Sequence, residues 1–147
     1  MKILVTGGAG YIGSIATAML LDAGYQVNVL DDLSTGHSDA VSERATFIEG
    51  SLLNKEDLDR ALLGCDAVMH FASFIQVGES VTHPANYYAN NLAQTLVLFN
   101  AMVRHGVKRF IFSSTAAIFG NPSYVPIDEV HPRAPINPYG WSKYMVE

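Results

Sequence analysis

Short apolar runs alternate with longer segments of helical periodicity along the chain. Three segments have helical spacing, 11–24, 54–64 and 83–106. Such alternation with short connections predicts an α/β fold, whose parallel sheet is covered on both faces. We expect a doubly wound, Rossmann-like topology with strand order 3-2-1-4-5. Five runs read as its strands: "KILVT" (2–6), "YQVNVLD" (25–31), "ATFIEG" (45–50), "CDAVMHFA" (65–72) and "VKRFIFSS" (107–114).

Apolar residues within the predicted helices indicate which faces are buried. The third helix carries an apolar stripe, for which packing in the core is one interpretation, at Leu92, Leu96, Phe99 and Val103. In the first helix the residues at helical spacing, expected to face the core, are Ile12, Ile15, Ala16, Met19 and Leu20.

The segment "TGGAGYIG" (6–13) joins the first strand to the first helix. Its glycines read as Gly8-x-Gly10-x-x-Gly13 or as Gly7-x-x-Gly10-x-x-Gly13. Glycines let the backbone turn tightly and approach a pyrophosphate, and the helix N-terminus offers N–H groups to that anion. A plain structural turn is the alternative. The position between a strand and a helix favours dinucleotide binding.

An acidic residue ends the second strand, and another follows it. Asp31 lies eighteen residues after Gly13, where a carboxylate would hydrogen-bond a ribose diol. The pair Asp31–Asp32 would repel a 2′-phosphate, and no lysine or arginine lies nearby in the sequence, so NAD is favoured over NADP. Alternatively, Asp32 is a solvated loop acid.

The segment "NPYGWSK" (137–143) places a tyrosine and a lysine four positions apart. Asn137 suits a helix N-cap and Pro138 the first helical position, so Tyr139 and Lys143 would share a face. An ammonium near a tyrosine favours its phenolate and prepares it to act as a base. An exposed helix face is the alternative. Thr115, at the carboxyl end of the fifth strand, lies where ligands of parallel sheets bind.

Composition excludes several classes of function. The chain is 49% apolar and 16% charged, with a net charge of −5 and no basic stripe, which argues against a nucleic-acid partner. No apolar run has the roughly 20 residues that span a membrane. The five histidines lack metal-ligand spacing. The single cysteine, Cys65, suits a reducing compartment, so a cytoplasmic protein is expected.

Six motifs together carry a resemblance over the whole chain: "VTGGAGYIGS", "LDDLSTGH", "HFASFIQVGES", "YYANNLAQTL", "FIFSSTAAIFG" and "NPYGWSKYMVE". The chain resembles the N-terminal part of the extended short-chain dehydrogenase/reductase superfamily, and most closely the UDP-glucose 4-epimerase family.

This resemblance implies roles for individual residues. Tyr139 would be the general base, Lys143 would orient NAD and tune that tyrosine, and Thr115 would fill a position usually held by serine or threonine. The implied cofactor-contact positions are Gly7, Gly10, Tyr11, Ile12, Gly13, Asp31, Asp32, Leu33, Ser34, Thr35, Gly36, Ser51, Leu52, Phe71, Ala72, Ser73, Asn90 and Lys143.

The resemblance also implies an activity: interconversion of UDP-glucose and UDP-galactose, with tightly bound NAD and transient oxidation at sugar C4. Sugar-nucleotide dehydratases carry acids after the hydroxyl residue, where this chain has Ala116 and Ala117, so epimerisation is preferred. A homodimer through the 83–106 helix is expected. The alternatives are another NAD-dependent nucleotide-sugar epimerase or reductase, and a non-catalytic dinucleotide-binding fragment.

The chain departs from the family pattern in sequence and in length. Members of the family extend well beyond the point where this chain ends. Residues 1–147 are therefore expected to be an incomplete NAD-binding Rossmann-like domain, truncated before the last strands and lacking the C-terminal substrate-binding portion. The sequence departures are Ser51 for a frequent aspartate, Ser73 for glycine, Ile75 for lysine, Gln94 for a small residue and Phe119 for tyrosine.

Overall fold

A single parallel sheet of five strands organises the computed structural model, which describes all residues from 1 to 147. The strands are β1 (Lys2–Thr6), β2 (Gln26–Asp31), β3 (Thr46–Glu49), β4 (Ala67–His70) and β5 (Arg109–Phe112). Their order is β3-β2-β1-β4-β5, and each pair is parallel. The predicted doubly wound order is therefore confirmed.

Six α-helices accompany the sheet: α1 (Tyr11–Asp22), α2 (Lys55–Leu62), α3 (Val77–Thr82), α4 (Pro84–Tyr87), α5 (Gln94–Arg104) and α6 (Pro138–Tyr144). A π-helical segment, Tyr88–Ala93, lies between α4 and α5. Short 3-10 helices cover Ser38–Ala40 and Ala116–Phe119. None of the helices is both long and apolar enough to cross a membrane.

The chain divides into two compact units. The first comprises Met1–Ala72 and Leu96–Ser113, and so holds the whole sheet, α1, α2 and most of α5. The second comprises Ser73–Thr95 and Ser114–Glu147, and holds α3, α4, the π-helical segment, the second 3-10 helix and α6.

Apolar clusters cover both faces of the sheet in the first unit. One face packs against residues of α2 and α5, including Leu58, Leu62 and Leu98. On the other face Leu20 and Leu21 of α1 contribute. The strand register puts four residues of that second face in one row. Along this row, from β2 to β5, the side chains become more exposed: Val29 and Val5 are fully buried, Met69 is half-buried and Ile111 is 57% exposed.

The buried face of α1 differs from the predicted one. Ile12 is 57% exposed and Met19 67% exposed, and Ile15 is exposed as well, whereas Gly13 and Thr17 are buried. The apolar spacing of 11–24 therefore identified the helix correctly and its core-facing side only in part, since Leu20 packs against the apolar cluster. The small residue Gly13 allows the start of α1 to lie against the glycine loop, which leaves the larger side chains of Ile12 and Ile15 exposed.

The prediction of one continuous α-helix over 83–106 was also wrong. Pro84 starts α4, and the π-helical segment interrupts the α-helical hydrogen bonding before α5 begins. Insertion of an extra residue into a helical turn rotates the side chains that follow. Immediately before this region lies α3, which the sequence did not indicate, since six residues with Gly78 among them give no clear periodicity.

Candidate active site

The glycine loop between β1 and α1 belongs to the first unit and has strict steric requirements. Gly7 has a φ of +72°, and a Cβ added there would lie 2.5 Å from the Ala72 backbone nitrogen. A Cβ on Gly13 would overlap the Gly7 carbonyl oxygen. Gly10 differs, because its nearest protein atom would be 3.4 Å from an added Cβ. The protein atoms around Gly10 therefore leave space for a Cβ. An anion approaching the N-terminus of α1 would use this space.

The N-terminus of α1 has no internal anion. Its N-cap is Gly10, no side chain caps it, and its first turn contains no acid. The first N–H groups of a helix lack partners within the helix and carry partial positive charge. Tyr11 and Ile12, the first two residues of α1, are exposed. These features fit the phosphates of a dinucleotide.

Asp31 connects the glycine loop to the loop after β2. One carboxylate oxygen, Oδ2, accepts a hydrogen bond of 2.9 Å from the Ala9 N–H, and Oδ1 accepts one of 2.9 Å from the Leu33 N–H. The sequence predicted only a ribose contact for this residue. Each carboxylate oxygen can accept a second bond, so the structural role leaves capacity for a diol.

The loop over 31–36 is held by local contacts. Asp32 accepts a bond from the Ser34 N–H, Leu33 adopts a φ of 58°, and Gly36 lies against Ala9. Asp32, Ser34 and Thr35 are exposed, so these predicted cofactor positions are accessible.

The remaining predicted cofactor positions of the first unit have mixed surroundings. Ser51 is half-buried, and its N–H donates to Asp57 Oδ2 at 3.1 Å. The Leu52 side chain is part of the core, so a cofactor contact there would come from the backbone. Phe71 and Ala72 are half-buried, and Ala72 borders Gly7.

In the second unit, the tyrosine and the lysine of the NPYGWSK motif lie on α6, and both are buried. The Asn137 side chain caps the helix by accepting a 2.8 Å bond from the Gly140 N–H, with Pro138 in the first turn, as predicted. Tyr139 is 8% exposed and Lys143 is 3% exposed. The alternative of an exposed helix face is therefore wrong. Burial lowers the pKa of Lys143 to about 8, so its ammonium form still predominates at neutral pH.

Thr115 is the N-cap of the 3-10 helix Ala116–Phe119, which contacts α6. Its Oγ1 accepts a bond of 3.2 Å from the Ala117 N–H. A Cβ on Gly140 would lie 2.7 Å from the Ala117 carbonyl oxygen, so this turn and the start of α6 are in close contact. A cavity of about 400 Å³ borders Thr115, but neither Tyr139 nor Lys143 lines it.

Asn91 is a residue of this region that the sequence did not single out. Its side chain is buried, accepts a 2.9 Å bond from the Phe74 N–H and donates to the Phe74 carbonyl at 3.0 Å. It also donates at 3.0 Å to Ser142 Oγ, which donates at 2.8 Å to the Tyr139 carbonyl. Asn91 thus fixes the first turn of α6 to the loop at Phe74. A polar residue inside an apolar helical stretch was the available signal.

Two predicted cofactor positions lie beside Asn91. Asn90 donates to Asn91 Oδ1 at 3.0 Å and accepts from Gln94 at 3.2 Å. Ser73 is half-buried and donates to the Phe74 carbonyl at 3.1 Å.

Neither unit contains a group of three or more His, Cys, Asp or Glu residues that could hold a metal ion.

Comparison with known proteins gives the family. Residues 3–147 match the NAD dependent epimerase/dehydratase family. The UDP-glucose 4-epimerase of Azospirillum brasilense is 49% identical over 148 residues, which cover 99% of this chain and 42% of that relative.

The chain is also similar to solved structures of UDP-glucose 4-epimerases. UDP-glucose 4-epimerase from Brucella ovis in complex with NAD superposes with a TM-score of 0.94 at 43% identity, covering 98% of this chain and 45% of that one. The Thermotoga maritima enzyme with UDP-glucose gives a TM-score of 0.92 at 41% identity, covering 99% and 48%. The chain thus spans less than half the length of these relatives. It belongs to the NAD dependent epimerase/dehydratase family.

Proposed function

We propose that this chain takes part in the 4-epimerisation of UDP-glucose and UDP-galactose, with NAD as a tightly bound cofactor. The observation that carries the proposal is the buried Tyr139–Lys143 pair on α6, in a chain 49% identical to a named UDP-glucose 4-epimerase. The relatives solved with NAD and with UDP-glucose support this choice of cofactor and substrate. The single cysteine, Cys65, is unpaired and fits a cytoplasmic location.

In this proposal the first unit holds the cofactor. The uncapped N-terminus of α1 would bind the pyrophosphate, and Asp31 would accept hydrogen bonds from a ribose. Asp31 and Asp32 disfavour a 2′-phosphate, which supports NAD over NADP. When bound, NAD oxidises the sugar at C4 reversibly and is regenerated in each turnover.

The second unit would move the proton. Tyr139 Oη takes the proton of the sugar 4-hydroxyl and later returns it. Lys143 lies one turn away on the same helix face, and its ammonium stabilises the phenolate electrostatically. Thr115 Oγ1 accepts the Ala117 N–H, so its own proton remains available for a hydrogen bond to the substrate.

The decisive experiment compares wild type with Tyr139→Phe. The chain, and any longer protein that carries it, is incubated with NAD and UDP-galactose, and UDP-glucose is measured by chromatography. Loss of the base should lower kcat by about a hundredfold or more while NAD still binds. Full activity of Tyr139→Phe would refute the assignment of the base, and a panel of UDP-, dTDP- and GDP-sugars would identify another nucleotide-sugar substrate.

A second candidate function is dinucleotide binding without turnover. It is favoured by the coverage, since the chain corresponds to only 42–48% of the relatives described above. Titration with NAD separates the two functions: binding without any sugar conversion supports the binding module. A folded chain that does not bind NAD would contradict both.

We also propose that two chains associate through the 83–106 region. On α5 the residues predicted as a stripe remain accessible, with Leu96 exposed, Phe99 half-buried and Val103 79% exposed. The core positions of this helix are instead Leu98, Ala101 and Met102. Sedimentation of the same preparations should give the mass of a dimer, and a monomer at all concentrations would refute the association.

A further inference from the structure

A second buried tyrosine lies beside the candidate base. Tyr87, on α4, is completely buried, and its ring meets the ring of Tyr139 edge to face, with centroids 6.4 Å apart and planes at 85°. Such T-shaped pairs are favourable and fix relative ring orientation. Phe74 contacts Tyr87 in a similar geometry, with centroids 5.8 Å apart. The Tyr87 ring therefore lies between two aromatic partners.

The hydroxyl of Tyr87 is engaged in a bond to another helix. It donates at 2.8 Å to Glu79 Oε2, on α3. Burial, and next the bond to Glu79, raise the pKa of Tyr87 to about 12. Tyr87 therefore keeps its proton at every pH near neutrality, although it neighbours a group that has to exchange one.

We propose that Tyr87 is a positioning residue for Tyr139: its ring sets the plane of the Tyr139 ring, and its bond to Glu79 anchors it to α3. This inference rests on the proposed function, since it assigns a task only if Tyr139 is the reacting group. It also explains why only one of the two neighbouring phenols, that of Tyr139, takes part in proton transfer. Tyr87 has a carboxylate acceptor for its proton, and Asn91 and Ser142 fix the backbone of Tyr139 independently.

The first test reads ring geometry without turnover. Tyrosine-selective ¹³C labelling of the chain allows NMR assignment of the Tyr87 and Tyr139 rings through their phenylalanine variants. Wild type should show a nuclear Overhauser contact between the two rings. Tyr87→Leu should shift the Tyr139 ring-proton signals, because the neighbouring ring current is lost, whereas Glu79→Gln, which retains an acceptor, should leave them nearly unchanged.

The second test separates kcat from KM in the NAD-loaded protein. Tyr87→Leu should lower kcat about tenfold to a hundredfold with little change in KM for the sugar nucleotide, since a small misplacement of a reacting group has an effect of this size. Tyr87→Phe keeps the ring, so it should restore kcat to within about threefold of wild type. Circular dichroism confirms that each variant is folded.

Two outcomes would overturn the inference. One is the absence of a contact between the rings in wild type, which is decisive even if Tyr87→Leu does not fold. The other is equal kcat in folded Tyr87→Leu and wild type, or equal loss in Tyr87→Leu and Tyr87→Phe. The proposed function fails separately, when Tyr139→Phe retains full activity, and that result would leave the ring contact intact.

Discussion

The two compact units carry their candidate functional groups in different ways. In the first unit most of the groups belong to the backbone, namely the glycine loop and the N–H groups at the start of α1. The Asp31 carboxylate is a side chain, but it is bonded to two backbone N–H groups. In the second unit they are side chains, Tyr139 and Lys143, buried on a helix of seven residues. The glycine loop is thus a local structure, whereas the burial of Tyr139 and Lys143 depends on residues distant in sequence.

Local structure explains why short motifs identify the loop so well. The three glycines and the acid at the end of β2 act within about one strand–helix–strand unit, where chain connectivity restricts the possible arrangements. Tyr139, by contrast, contacts Tyr87 and is fixed through Asn91 and Ser142. No spacing rule links Tyr87 and Asn91 to Tyr139 and Ser142, because the two pairs come from segments of the chain that are far apart in sequence.

The largest expected effect lies in the backbone of the first unit. Gly7→Ala combines a positive φ with a Cβ 2.5 Å from a backbone nitrogen, so it should lower the free energy of unfolding by more than about 3 kcal/mol and abolish NAD binding. Gly24→Ala is the matched control, since Gly24 has a φ of +84° but no atom within 4 Å of an added Cβ. It should cost only about 1 kcal/mol. Equal losses in urea denaturation would show that the backbone angle alone matters.

A second effect, of opposite sign, is expected in the second unit. The pKa of Lys143 falls from its ordinary 10.5 to about 8, so at neutral pH the folded chain holds a charge that burial disfavours. Lys143→Met should stabilise the NAD-free chain at pH 7 by up to about 3 kcal/mol.

The sign of the pH dependence follows from the proton balance. Between about pH 8 and pH 10.5 the unfolded chain binds more protons at this lysine than the folded chain, so wild-type stability rises with pH relative to the variant. The advantage of Lys143→Met should therefore disappear by about pH 10.5. Exposed Lys108, changed to Met, serves as the control. A gain that is equal at both ends of this range would contradict the burial of the charge.

The smallest effects test which face of α1 is buried. The hydroxyl of Thr17 is buried without a hydrogen-bond partner, so Thr17→Val should stabilise the chain by about 1 kcal/mol. Met19 is 67% exposed, and Met19→Ala should change stability by only about 0.5 kcal/mol. If the apolar spacing had indicated the buried face correctly, Met19→Ala would cost about 2–5 kcal/mol. Thermal denaturation of the two variants decides between these faces.

The sequence indicated α6 but not its environment. Asn137 and Pro138 predicted the start of α6 correctly, because capping is chemistry between neighbouring residues. The burial of Tyr139 and Lys143 was left open, since an i, i+4 pair has the same spacing on an exposed helix and on a buried one. α3 and the π-helical segment were missed, because both are short and neither has the periodicity of a regular helix.

By itself the sequence determined the order of strands, the glycine loop and the ends of several helices, since periodicity, glycine and capping residues act over a few positions. The tertiary structure alone decided which face of α1 is buried, that Asp31 joins two loops, and that Tyr87, Asn91 and Ser142 surround the candidate base. The physical reason is that burial and side-chain hydrogen bonding depend on which distant segments pack together. That packing is a property of the whole fold rather than of any single motif.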